Sequence, residues 1–202
     1  MKKTKQLFII LNLFLLIAIP GFLLAQDNYS LSFDGENDDR IEIPMIDLSN
    51  ADGITILAHI YSEGNNPNSE HQGIIENRDD DHIPWMVQIS SEYDVIEFGL
   101  QTTSGYHELE IPLSDLGNFE DNWQTVVASY DVATSIKTLR VGDYFIQTTV
   151  NTGNIVNSSG VQHYIGYLNG QTQFWGKIDR LSIWNTALTP EEIEYYNLNP
   201  PS

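Results

Sequence analysis

The chain reads as an all-β protein, a sandwich of two antiparallel sheets, on three observations. Short runs of alternating apolar and polar residues recur between clusters of Gly, Asn, Asp and Ser along its length. No stretch keeps the apolar period of a long amphipathic helix. Two of the breaks, Ser90 to Asp94 and Gly142-Asp143, each join a pair of alternating runs, as hairpins require.

The elements follow in order. Residues 1–25 predict a cleaved signal peptide, with Lys2, Lys3 and Lys5 ahead of an apolar run from Leu7 to Leu24 and Ala25 at the exit. Asn12 and Pro20 interrupt that run and favour cleavage over a retained membrane anchor. Residues 26–202 are then one domain, with opening strands at Tyr29 to Gly35 and Arg40 to Pro44. Ile54, Ile56, Ala58 and Ile60 form one face of the next strand, and Leu57 makes its other face partly apolar, so it is expected at the centre of a sheet. Gly64 to Glu70 is polar and reads as a mobile loop. Trp85, Val87 and Ile89 alternate, as do Ile96, Phe98 and Leu100 across the turn, giving the first hairpin. Asn122 to Asp131 reads as a strand, and Thr138 to Val141 turns through Gly142-Asp143 into Tyr144 to Ile146. The last strand offers Ile178, Leu181, Ile183 and Trp184 to a buried face, leaving Lys177, Arg180 and Ser182 for solvent. It ends at Thr189, an N-cap followed by Pro190 at the first helical position and Glu192 three residues on, which completes a capping box.

That closing stretch, Gly176-Lys177-Ile178-Asp179, Trp184 and Ala187-Leu188-Thr189-Pro190-Glu191-Glu192-Ile193, resembles the laminin G-like branch of the concanavalin A-like lectin and glucanase superfamily. The opening strands, the strand at Ile54 to Tyr61 and the strand at Asn122 to Asp131 resemble the same family in the same order. The resemblance implies a jelly-roll β-sandwich, buried packing roles for Trp123 and Trp184, and a structural calcium ion held by Asp34, Gly35 and Asp179. A second reading of Asp34 and Asp179 needs no metal, with Asp34 capping its own loop and Asp179 accepting backbone N–H groups. The fold hosts lectins, adhesion modules and enzymes, so function rests on the site.

The bulk charge narrows the partners. Without the leader the chain keeps 28 acidic residues against about 6 basic ones, so its formal net charge of -19 moves to about -22. That sign excludes nucleic acid as a partner. It fits either a solubility device or cation binding. No cysteine is present, which leaves neither a disulfide framework nor a lipoprotein anchor. The protein is expected to be exported, to the periplasm, the cell surface or the medium, with no stable membrane insertion once the signal is removed.

Three groups of residues carry possible chemistry. Asp79, Asp80 and Asp81 form an acidic triplet that is either a solvated loop or a rim bridging a cation to sugar hydroxyls, with Trp85 and Tyr106 as candidate stacking residues. Glu92, Asp94 and Glu97 match the Glu-x-Asp-x-x-Glu pattern of retaining glucanases. Glu92 and Glu97 are an odd number of residues apart, however, so a regular strand points them to opposite sides. The five histidines lack zinc spacing, and no nucleophile triad is present. The expected function is a non-catalytic recognition module that binds a glycan or a cell-surface protein; a glycoside hydrolase and an adhesive domain without a small ligand are the alternatives.

Overall fold

The computed structural model describes residues 7–9, 30–36, 39–66, 69–77, 83–149, 152–156, 162–168 and 172–199. They form two antiparallel sheets packed face to face, as the alternation predicts. The first sheet runs β1 (Leu7–Ile9), β15 (Trp175–Trp184), β4 (Gly53–Ser62), β9 (Trp123–Asp131), β10 (Ile136–Val141), β11 (Tyr144–Thr149), with β2 (Leu31–Asp34) also paired to β15. The second runs β3 (Ile41–Ile43), β12 (His163–Ile165), β5 (His71–Asn77), β6 (Trp85–Ser90), β7 (Val95–Thr102), β8 (Gly105–Pro112). A ribbon of β13 (Tyr167–Leu168) and β14 (Thr172–Gln173) and one helix, α1 (Pro190–Leu198), complete the described elements. The two opening strands thus do not pair with each other; β2 joins the first sheet and β3 the second. Among the described residues no helix is long and apolar enough to cross a membrane.

Strand β4 is central, between β15 and β9. Its Ile54, Ile56, Ala58 and Ile60 enter the core between the sheets, together with Phe33, Ile75, Val87, Phe98, Leu139 and Ile178. Its opposite face divides into two parts. Leu57 packs outside the sandwich with Val127, Trp184 and Leu188 in a second small core, which Ile193 and Tyr196 of α1 partly cover. Further along, His59 and Tyr61 are half-buried and belong to neither core.

Strand β15 supplies residues to both cores because its register shifts between Asp179 and Ser182, where Arg180 takes a left-handed φ of 49°. The bulge reconciles Ile178 with Leu181 and Ile183 on the inner face despite their mixed spacing, and it turns Trp184 outward under α1. It also corrects one expectation, since Ser182 is buried rather than solvent-facing. Both predicted hairpins form, β6 to β7 and β10 to β11; Gly142 meets the second turn with a φ of 57°.

The helix begins as its sequence directs. The Thr189 hydroxyl accepts from the Glu192 N–H at 3.3 Å, and Glu192 Oε2 accepts from the Thr189 N–H at 3.0 Å. Thr189→Ala removes one arm of this box, and a loss of about 1 kcal/mol in chemical denaturation is expected.

The loop after β4 is tied down more firmly than its polar composition indicates. Asn66 is buried, and its Nδ2 donates to the Gly35 and Gln173 carbonyls at 3.0 and 3.2 Å. Gln72 Nε2 holds the Gly64 carbonyl at 2.9 Å.

Candidate functional site

The outer face of the first sheet carries an aromatic platform beyond the end of α1. Tyr61 and Trp123 are cross-strand partners, and His59 lies two residues back along β4 on the same face. The Trp123 ring stacks on His59 at 4.8 Å between centroids and 26° between planes, and Tyr61 lies against it at 5.7 Å, tilted by 59°. Trp123 remains 40% exposed. The expectation of a buried packing role for Trp123 is therefore corrected, whereas Trp184 is 2% exposed and packs as expected. The difference lies in what packs on each ring: Ile193 and Tyr196 of α1 lie against the small core that holds Trp184, and Trp123 belongs to neither core.

Polar groups surround the platform. Lys177 places Nζ 5.2 Å from the centre of the Tyr61 ring, and the Tyr61 hydroxyl donates to Asp121 Oδ1 at 3.4 Å. Arg180 Nη2 lies 3.2 Å from His59 Nδ1 while its Nε donates to Asp179 Oδ2 at 3.1 Å. Burial, followed by the nearby Arg180 charge, lowers the His59 pKa below its ordinary 6.5 against the pull of Asp179. His59 is thus a neutral ring at neutral pH, suited to stacking beneath Trp123. Beside the platform a groove between β9, β10 and α1 is lined by Thr125, Arg140, Asp143, Glu194 and Asn197, which supply both donors and acceptors.

The residues proposed for calcium are not brought together. First and last strands do lie side by side, but Asp34 pairs with Trp175, and Asp179 is four residues further along β15. At about 3.3 Å per residue that separation is roughly 13 Å, beyond what one ion with bonds of about 2.4 Å can span. Each group is already engaged. Asp34 Oδ1 accepts from the Glu36 N–H at 2.8 Å, the Gly35 carbonyl accepts from Asn66, and Asp179 pairs with Arg180. Asp34, Gly35 and Asp179 do not fit one calcium ion; Asp34 caps its own turn instead.

The other candidates divide similarly. Asp79, Asp80 and Asp81 lie outside the described residues. Trp85 faces the interior, buried beside His163 with 5.0 Å between ring centres, so it offers no surface for stacking. Tyr106 is half-buried on the outer face of the second sheet, where its hydroxyl donates to Glu108 Oε1 at 2.9 Å. Glu92 and Asp94 lie exposed in the turn before β7. Glu97 is inside β7, 3% exposed on the outer face, with Gln88 Nε2 donating to its Oε1. Glu92 gathers with Glu70 and His71, and Glu97 with Glu108 and Glu110. The glucanase pattern is consequently split between two places.

The sequence reading missed the Trp123 platform and the Glu108 and Glu110 neighbours of Glu97. For the carboxylates a signal was present: Glu108 and Glu110 alternate with Leu109 and Ile111 along one strand, which puts both on one face.

The geometry agrees with what comparisons find. A family model described as the concanavalin A-like lectin/glucanases superfamily matches residues 34–194. No curated protein matches. Among solved structures, the binding domain of botulinum neurotoxin serotype G is similar with a TM-score of 0.64 at 14% identity, over 82% of this chain and 42% of that one. Domains LG4-5 of the mouse laminin alpha1 chain give 0.57 at 13% identity, over 76% and 40%. A mutant NanB sialidase from Streptococcus pneumoniae gives 0.61 at 16% identity, over 82% and 27%. The chain therefore spans less than half of each of these molecules, and the likeness is one of fold.

Proposed function

Since this chain belongs to the concanavalin A-like lectin/glucanases superfamily, whose fold leaves function to its surfaces, we propose that it is an exported, non-catalytic module that binds a glycan on the outer face of its first sheet. The observation that carries this reading is Trp123, a large aromatic ring 40% exposed and in contact with the rings of His59 and Tyr61. A ring already held by two neighbours loses little freedom when it stacks on the apolar face of a sugar. Asp121 and Lys177 beside it, with Asn197 and Asp143 in the adjoining groove, supply acceptors and donors for hydroxyl groups. The acidic surface favours neutral or cationic sugars over acidic ones. Glu92 groups with Glu70 and His71 while Glu97 groups with Glu108 and Glu110, which supports the non-catalytic reading.

A glycan array followed by calorimetry on the best ligand tests the reading. Trp123→Ala is expected to weaken binding at least tenfold, about 1.4 kcal/mol, without loss of folding. Glycan binding unchanged in that variant, or binding only to a cell-surface protein, would sink it.

A further inference from the structure

We propose that Glu97, Glu108 and Glu110, with the side-chain carbonyl of Gln88, form a calcium site on the outer face of the second sheet. Three adjacent strands place these groups together. Gln88 is registered with Glu97, Glu97 with Glu110, and Glu108 with Gly99, the next residue of β7 on that face. Carboxylate oxygens of all three glutamates lie within 4.8 Å of one another. No ion pair within 4.0 Å neutralises them among the described residues, and the nearest cation, the buried Lys137, acts on Glu97 and Glu108 only from a longer distance.

A second, independent feature points to a ligand. Gln88 is 4% exposed and its Nε2 is spent on Glu97, while its Oε1 is buried without a hydrogen-bond partner. A buried carbonyl oxygen left without a donor, on a side chain that touches Glu97, is what a cation would satisfy.

Gly99 and Tyr106 shape the site. A Cβ at position 99 would lie 2.2 Å from the Tyr106 hydroxyl, so only glycine lets Tyr106 lie across β7. That hydroxyl donates to Glu108 Oε1 at 2.9 Å and orients the carboxylate. Donors that are all oxygen, two of them exposed carboxylates and the third the buried Glu97 carboxyl, which gives up its proton when a cation binds, select a hard cation. Three carboxylates and one carbonyl, with water, reach the six to eight oxygens of calcium, and the absence of nitrogen or sulfur disfavours zinc.

The site is distinct from the glycan platform on the opposite sheet and does not depend on it. Calorimetric titration of the chelator-treated protein with calcium chloride at neutral pH tests it, with zinc chloride as a second arm. One equivalent of calcium is expected to bind with a Kd of about 1 mM or tighter, the range of extracellular modules. Glu108→Gln and Glu110→Gln, at exposed positions that leave the fold intact, should each weaken it tenfold or more. Glu97→Gln should abolish it, and Asp34→Asn should leave it unchanged. No calcium binding at about ten times that concentration, a Kd unmoved by the Glu108 and Glu110 variants, or tighter binding of zinc than of calcium would overturn the assignment.

Discussion

Lys137→Met is expected to stabilise the protein at neutral pH by on the order of 2 to 4 kcal/mol, an unusual sign for a core substitution. Lys137 lies on the inward face of β10 at 0% exposure, donates to the His107 carbonyl at 2.7 Å and sits 4.4 Å from the centre of the Phe98 ring. Burial pushes its ammonium from 10.5 down to about 7, against the pull of Glu108 and Glu97. Between those values the unfolded chain holds a proton that the folded chain does not. Stability therefore rises with pH from about 7 to 10.5. Methionine fills similar volume with no charge to desolvate.

Glu97 works in the opposite direction. Burial, reinforced by Glu108 and Glu110 and opposed by the Gln88 hydrogen bond and by Lys137, lifts its carboxyl from 4.5 to about 7. Here the folded chain holds the extra proton, so stability falls as pH rises from about 4.5 to 7. The two groups together give a trough in stability near neutrality when calcium is absent. Denaturation across pH in chelator, for wild type, Lys137→Met and Glu97→Gln, isolates each arm by difference. Lys137→Met should lose the alkaline rise and Glu97→Gln the acidic fall. An alkaline rise of the same size with and without Lys137 would refute this account.

The second large effect concerns Trp184. Trp184→Ala is expected to cost about 3 to 5 kcal/mol, because the ring fills the small core under α1 with Leu57, Val127 and Leu188 and lies 5.1 Å from the Tyr196 ring. Hydrogen exchange should show α1 released before the sandwich opens. Trp123→Ala is its control, expected to change stability by less than about 1 kcal/mol since its ring is not enclosed. Equal losses from the two substitutions would contradict the division of the first sheet into a helix-covered part and an open part. One residue type thus serves packing at one end of that face and recognition at the other.

Much of this molecule was legible before any coordinates. The alternation of Ile54, Ile56, Ala58 and Ile60, the turn at Gly142-Asp143 and the cap at Thr189 each act within a few residues, where propensity and side-chain geometry operate directly. The buried place of Lys137 was missed, although it alternates with Leu139 and Val141 along one strand face. Tertiary structure decided what depends on register between distant strands. It placed Asp34 opposite Trp175 instead of Asp179, set Glu97 beside Glu108 and Glu110 instead of Glu92, and brought α1 over Trp184 but not Trp123. A backbone ladder pairs equally well in many registers, so local sequence specifies which residues share a face of one strand. Which residues meet across strands is settled only when the whole apolar set finds its burial.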